Sequence, residues 1–527
     1  MGRNDDSVIG QPGAAQLVSD RAPADLEKYT RDTRFFGHPA GLSTLFFTEL
    51  WERFSYYGIR PLLILFMTAA LMDGGFGMER PVAAAIVGIY AAGVYLAALP
   101  GGWIADRWLG LRRSIWYGGL FIAAGHFAIA LSSIFSQPAF FTGLILIVIG
   151  TGLLKPNISA IVGDLYPEGG ARRDAGFSIF YMGINVGALF APLVSGYLGE
   201  QVGWHWGFGV AGLGMLIGLI WYRLGSPGTL GPIGMEPAAD IEEQRRVRKI
   251  SLSALAAIAL FVVLAGIGVI PINPVAIAGS LTAVIIALAL LYFAYVFFFG
   301  GLNTDEKKRV AVIVVLFLAA AVFWSAFEQA PTSLNLFAKD FTNRVIFGWE
   351  MPVSWLQAAN SFFVITLAPV FAALWVMLAK RGLDFSSPTK FTFGLFFTGL
   401  GFLVMVWAAN RVLAGGPGTL VSPWWLVFSY LLQTMGELSL SPVGLSSMTK
   451  LAPRKFVGQM MGVWFMASAL GNLIAGLVGG RVDPENLQQM PELFTRTALS
   501  LFVATAVLGL LIIPIRNMMK GSSAANH

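Results

Sequence analysis

Cysteine is absent from this chain, histidine occurs four times in 527 residues, and only 12% of the side chains are charged. Without cysteine there is no disulfide framework and no thiolate metal site, which suits a reducing compartment. No His-Glu-x-x-His pair occurs, nor a Ser–His pair at one depth, so the usual hydrolytic constellations are missing. The glycine-rich stretches around Gly75 and Gly207 lack the Lys-Ser/Thr of a phosphate loop. A soluble domain carries about 25% charge, roughly twice the amount here. The remainder is apolar: 56% hydrophobic, with a mean hydropathy of +0.70. Those lacks, taken together, describe an all-α polytopic membrane protein. Its net charge of +6 does not point to nucleic acid, because the Lys and Arg residues sit in short loops and form no single surface.

A helix needs about 20 apolar residues to cross a hydrocarbon core of ~30 Å. Such runs place about fourteen spans at 42–71, 81–104, 111–133, 138–163, 175–199, 204–224, 251–270, 275–299, 309–338, 354–380, 389–409, 422–449, 456–479 and 494–515. Alternate loops hold the basic clusters Arg107, Arg112, Arg113; Arg172, Arg173; Arg245, Arg246, Arg248, Lys249; Lys307, Lys308, Arg309; Lys380, Arg381, Lys390; and Lys450, Arg454, Lys455. The opposite loops hold little beyond Arg80, Lys339, Arg344, Arg411 and Arg481. That asymmetry puts both termini in the cytoplasm of a multi-pass protein of the cell (plasma or inner) membrane. Residues 1–40 lack the basic-then-apolar pattern of a signal peptide and read as a loosely ordered cytoplasmic arm. The expected division is then a six-helix bundle at 41–224, a linker at 225–250, a two-helix hairpin at 251–300, a second bundle at 301–516 and a tail at 517–527. The hairpin carries no ionisable residue in its spans and is expected to lie outside the bundles.

Charges inside a bilayer cost at least ~2.5–3.5 kcal/mol each on insertion scales and persist where they face a polar pathway. The first span holds Glu49, Glu52, Arg53, Tyr56 and Arg60 within about a third of the helix circumference. Later spans add Lys155 beside the helix-loosening Pro156, then Glu328, Asn360 and Glu437. The acids and bases nearly cancel, so pairing inside one cavity is feasible. A zwitterion such as a short peptide fits that cavity. Arg53 can grip a carboxylate bidentately with Lys155 beside it, and Glu437 can take an ammonium. Tyr56, Tyr57, Tyr95, Trp324 and Trp464 are candidate walls for varied side chains.

Glu49-x-x-Glu52-Arg53-Phe54-x-Tyr56-Tyr57-Gly58 resembles the signature of the proton-dependent oligopeptide transporters, the POT or PTR family. Gly101-Gly102-Trp103-Ile104-Ala105-Asp106-Arg107 and Phe180-Tyr181-Met182-Gly183-Ile184-Asn185-Val186-Gly187 resemble two more of its patterns. So do Phe323-Trp324-Ser325-Ala326-Phe327-Glu328-Gln329 and Gly436-Glu437 followed by Ser441-Pro442-Val443-Gly444. The resemblance runs from about residue 35 to about 515 and is closest to the prokaryotic branch. It implies a major-facilitator fold of two six-helix bundles with the hairpin inserted, an organisation that the span count also suits. It implies proton-coupled uptake of di- and tripeptides by alternating access, driven by the proton gradient without a cofactor or metal and performed by a monomer in the lipid bilayer. It assigns Glu49, Glu52, Arg53, Lys155 and Glu328 to proton coupling. The peptide carboxylate falls to the Arg53–Lys155 cluster, and the amino terminus to Glu437 with Asn157 and Asn360. Arg60 and Glu328 become a gate pair between the halves. Two departures stand out: Ser361 replaces an expected proline after Asn360, and the second span has no histidine, so the proton must ride on carboxylates.

Two other functions compete. A transporter of another small solute or anion would share the fold, although Glu437 repels a pure anion; an intramembrane enzyme would convert its substrate where a carrier accumulates it. Bland roles also compete residue by residue. The asparagines can serve as interhelical hydrogen-bond partners and the aromatics as packing or belt residues. His126 reads as a satisfied packing residue in an apolar span.

Overall fold

The structure, a computed structural model, describes residues 23–382 and 385–520; the rest of the amino-terminal arm (1–22) and the end of the tail (521–527) lie outside the described residues. Among the described residues fourteen helices of twenty residues or more follow one another. The first six are α1 (Ala40–Thr68), α2 (Arg80–Ile104), α3 (Leu111–Ala130), α4 (Ser132–Asp164), α5 (Gly170–Tyr197) and α6 (Trp204–Leu230). The hairpin is α7 (Ile241–Gly266) and α8 (Pro274–Phe299). The last six are α9 (Thr304–Phe327), α10 (Ala358–Lys380), α11 (Ser387–Gly415), α12 (Trp424–Leu451), α13 (Val457–Gly479) and α14 (Gln489–Lys520). Eleven of them are long and apolar enough to cross a membrane by length and composition alone. The three that fall short are α1, α3 and α12, which are more polar. In α1 every eighteen-residue stretch contains at least three of Glu49, Glu52, Arg53 and Arg60.

In the first half α1 packs on α5 and α6, α3 on α4 and α6, and α2 on α4. In the second, α11 packs on α12 and α14, α9 on α13 and α14, and α10 on α12. The halves meet along two seams, α2 against α13 and α5 against α10. Glycine permits the first. A Cβ on Gly88 would lie 2.9 Å from Gly476 Cα and 2.8 Å from Asn472 O, so only a bare backbone fits that crossing.

Several boundaries differ from the hydropathy reading, each for a local reason. The linker is not 225–250: α6 continues to Leu230, and α7 begins at Ile241, capped by Asp240, whose carboxylate accepts the Glu243 N–H. Hydropathy registers only the membrane-embedded part of α7 and misses the polar turns that precede it. The expected single span at 309–338 breaks after Phe327 into a π turn at Ala330–Leu334 and a short helix at Asn335–Phe341. Pro331 lacks the N–H that would continue the ladder. Gln329 repairs part of the damage by donating to Ser325 O and accepting from the Ser333 hydroxyl.

Two expectations about the periphery need correction. The hairpin does not lie free of the bundles. α7 buries only Val247 and Ser251, but α8 buries Ala278, Ile285, Ala289, Phe293 and Val296 against α2 and α13, across the seam between the halves. Nor is the arm loosely ordered from residue 23 onward. Pro23–Thr30 is helical, and Arg172 of α5 donates to Thr30 O at 3.0 Å and Asp32 O at 2.8 Å. His38 Nδ1 meets the Tyr166 hydroxyl at 2.9 Å, and Asp32 accepts the Ala40 N–H at 3.1 Å. Burial pushes the Asp32 carboxyl upward, but hydrogen bonds from Arg34 and from the Arg34 and Ala40 backbone outweigh it and pull the group down to about 2.

Candidate binding cavity

The charged stripe of α1 is buried inside the first half: Glu49 is 2% exposed, Glu52 0%, Arg53 3% and Arg60 9%. Arg53 Nε lies 3.2 Å from Glu49 Oε1 and also contacts Glu52, so one guanidinium serves two carboxylates. The set is incompletely satisfied. Glu49 Oε2, Glu52 Oε1 and Arg53 Nη2 are buried with no hydrogen-bond partner among the described residues. Ions held this way are poised to exchange partners, since an unpaired buried charge is costly. The Arg53 guanidinium also lies 5.2 Å from the Tyr56 ring centre, and Tyr56 stacks on Tyr90 of α2.

Lys155 reaches the same region from α4. A Cβ on Gly101 of α2 would fall 1.9 Å from Gly152 O, so these two helices touch backbone to backbone one turn before Lys155. Its ammonium sits 5.0 Å from the Tyr95 ring centre, a cation–π contact, and among the described residues no carboxylate lies within 4.0 Å of it. Asn157, two residues further along the chain, behaves differently. Its amide donates to Leu153 O at 2.6 Å and Gly101 O at 3.4 Å, tying α4 to α2.

The second half supplies the opposite charge. α12 lies tight on α11, where a Cβ on Gly436 would be 2.3 Å from the Thr398 hydroxyl, and Glu437 follows it on the chain. Asn360 of α10 donates to Glu437 Oε2 at 3.1 Å and to the Thr434 hydroxyl at 2.9 Å. No cation lies within 4.0 Å of Glu437 among the described residues. Between the halves a cavity is lined by Tyr57, Arg60, Phe327, Asn360, Ser361, Tyr430 and Gln433. The structure thus brings Tyr57, Arg60 and Asn360 to one cavity, with Glu437 bonded to its wall. Ser361, which departs from the family pattern, is a lining residue itself.

Arg60, a lining residue of the cavity, crosses to Glu328, which follows the last residue of α9. Other cross-half bonds cluster toward the face opposite the chain termini. Arg80 Nη1 meets Asp340 Oδ2 at 2.5 Å and Val482 O at 2.7 Å, and Asn335 donates to Pro61 O at 2.8 Å. The aromatic candidates divide. Tyr57 lines the cavity; Trp324 is 9% exposed, with an indole N–H that finds no partner among the described residues; Trp464 covers Gly444 and packs on Phe391 inside the second half. His126, expected to be satisfied, is fully buried against Gly212, but neither ring nitrogen has a hydrogen-bond partner among the described residues.

Sequence reasoning missed Gln357, Tyr430 and Gln433 as lining residues. The argument that singled out Asn360, a polar group in an apolar span, applies equally to the two glutamines. It also missed Glu200, at the end of α5, because a carboxylate near a span end reads as interfacial.

Comparison with known proteins agrees with this geometry. The model of the POT family matches residues 112–490. The chain is 51% identical over 93% of its length to the "Peptide transporter YePEPT" of Yersinia enterocolitica subsp. palearctica, covering 96% of that protein. It is 38% identical over 91% of its length to the "Di-/tripeptide transporter" of Lactococcus lactis subsp. cremoris, covering 94% of it. A crystal structure of a POT family transporter in complex with a thioalcohol-conjugated peptide superposes with a TM-score of 0.82 at 34% identity, covering 91% of this chain and 98% of that one. The relatives are transporters, not enzymes, and their fold is the major-facilitator fold of two six-helix bundles described above. Family model, relatives and fold coincide on one conclusion: the chain belongs to the POT family.

Proposed function

We propose that this protein is a proton-coupled symporter that imports di- and tripeptides by alternating access. One observation carries the reading. Lys155 and Glu437 are unlike charges from opposite halves, and neither has an ionic partner within 4.0 Å among the described residues. A peptide carboxylate can join Arg53 and Lys155 while its ammonium joins Glu437 and Asn360, so a single zwitterion bridges the halves.

Coupling follows from competition for Arg53. An arriving carboxylate displaces Glu49 or Glu52 from the guanidinium, and the displaced acid takes up a proton, because an uncompensated ion in that setting is unfavourable. The proton gradient is the driving force; no cofactor takes part, and the monomer contains the whole path. The excess of Lys and Arg in alternate loops supports cytoplasmic termini in the cell membrane. On that orientation the face carrying Arg60–Glu328 and Arg80–Asp340 is the extracellular one, and these pairs are its gate.

The test is uptake of radiolabelled dialanine into proteoliposomes with and without an imposed inward proton gradient. Accumulation that depends on the gradient is expected. Gradient-independent equilibration, or chemical conversion of the dipeptide, would overturn the reading.

A further inference from the structure

α5 runs out into a π turn, Leu198–Val202, whose acid Glu200 is bonded entirely to the other half. Glu200 Oε2 accepts the Val353 N–H at 2.7 Å, and Oε1 accepts the Ser354 N–H at 2.9 Å and the Ser354 hydroxyl at 2.6 Å. These donors open the 3₁₀ turn Val353–Gln357, which continues directly into α10. The first N–H groups of such a turn have no partner within it, and a carboxylate is their strongest acceptor. The approach is close. A Cβ on Gly196, one turn earlier in α5, would lie 2.6 Å from Ser354 Cβ, and Trp355 Nε1 donates to Leu193 O at 2.9 Å.

This link differs in kind from the two ion pairs on the same face. Among the described residues no Lys or Arg nitrogen lies within 4.0 Å of Glu200; the nearby Arg344 is engaged by Glu350 at 2.7 Å. An ion pair tolerates sliding and rotation of its partners. A carboxylate that accepts two consecutive backbone N–H groups fixes one register of one turn.

We propose that Glu200 is a latch that holds α5 to the head of α10, and that its release is a required step when the cavity opens to the face opposite the termini. The proposal rests on the alternating-access reading above. Asn360, which bonds Glu437, stands less than two turns beyond Ser354 on the same continuous segment. A peptide at Glu437 and the latch at Glu200 therefore act on two ends of one rigid element, so the substrate site senses the state of the gate.

The absence of native cysteine makes the test clean, because two introduced thiols are the only ones present. Met72→Cys in the α1–α2 loop and Phe347→Cys in the α9–α10 loop are both fully accessible positions, one in each half, at that face. Spin labels there report its opening by pulsed electron resonance in reconstituted membranes. Glu200→Gln is expected to shift the distances toward a longer population by about tenfold. Ser354→Ala, which removes one of the three bonds, is expected to shift them less, and adding it to Glu200→Gln is expected to change little further. Glu200→Asp should recover part of the parent distribution. Unchanged distances in either single variant, in protein that folds and inserts into the membrane, would overturn the latch. A parent double-cysteine protein that fails to bind dialanine would break the peptide reading instead, and the distance comparison would still decide the latch.

Discussion

The charged groups of α1 and of α12 solve the problem of a buried charge in opposite ways. At the α1 end the helix supplies its own counter-ion: Arg53 serves both Glu49 and Glu52. At the α12 end Glu437 has, among the described residues, the Asn360 amide as its hydrogen-bond partner and no cation within 4.0 Å. A neutral amide steadies a carboxylate but does not compensate its charge. A ligand ammonium can therefore add to Glu437 without displacing a charged group, whereas a ligand carboxylate must take Arg53 from an internal acid. On the proposed reading, binding energy is concentrated at one end and coupling at the other. That division is what a symporter needs, since the proton must be tied to occupancy and not merely to affinity.

The sharpest way to break the comparison is a double cycle at Glu437. Removing one partner of a buried pair leaves the other unpaired and costs ~3–5 kcal/mol, hundreds-fold or more in affinity. Acetylating the amino terminus of dialanine should weaken binding to the natural protein by that order, and so should Glu437→Gln with unmodified dialanine. Acetyl-dialanine with Glu437→Gln should lose far less than the sum. Strict additivity, measured by calorimetry, would mean that Glu437 does not hold the ammonium. Arg53→Ala with dialanine amide provides the matching cycle, and a different result is expected there. Arg53 loses two internal partners as well as the ligand, so its cycle should be contaminated by the energetics of the α1 cluster.

Coupling should fail at the other end while binding largely survives. Glu49→Gln and Glu52→Gln are each expected to abolish accumulation above equilibrium under an imposed proton gradient, with peptide counterflow at equal pH retained. Full gradient-driven uptake by both variants would remove the α1 acids from the coupling step and shift attention to Glu328.

How much of this was legible beforehand varies with the kind of signal. Burying Glu49, Glu52 and Arg53 in a span carries so large a penalty that the sequence alone marks them; the structure pairs Arg53 with both acids and holds Lys155 against the Tyr95 ring instead. Asn157 shows the limit. A mid-span amide has the same appearance whether it faces a cavity or a neighbouring backbone, and only packing reveals its bond to Gly101 O. The break after Phe327 was masked because residues 329–338 carry no charge; hydropathy measures transfer to lipid and is blind to a lost backbone donor at Pro331. The contact of α8 with both halves was equally invisible, since its buried stripe and its lipid face are built from the same residue types.

That contact turns the hairpin into a further test of where function resides. Replacing residues 251–299 with a flexible linker should leave dialanine affinity within about threefold, a change of less than ~1 kcal/mol, because no ionisable side chain is removed from the cavity. The maximal transport rate should fall, because α8 spans the α2–α13 seam about which the halves rock. Loss of binding in a folded, membrane-inserted variant would show that the hairpin supports the cavity itself. An unchanged rate would make α8 a passenger on the seam.

The smallest effect is expected at the arm, far from both ends of the cavity. Asp32 accepts hydrogen bonds from Arg34 and the Ala40 N–H, and its carbonyl is held by Arg172, so it joins the short helix Pro23–Thr30 to the start of α1 and α5. Asp32→Asn keeps the side-chain shape but weakens the acceptor, and local opening of the arm should become several-fold more frequent. Trypsin cleavage at Arg31 and Arg34 reads that opening directly. The pH dependence has a definite sign. A carboxyl held down at about 2, below its ordinary value of 3.8, contributes fully above the ordinary value and is lost only as pH falls through the lower one. The difference in cleavage rate between Asp32→Asn and the natural protein should therefore be constant from about pH 6 to pH 8, where the protease works. Dialanine uptake should be unaltered throughout that range. A difference that varied across it would show that another group controls the docking of the arm, and His38, bonded to Tyr166 on the same surface, would be the group to substitute next.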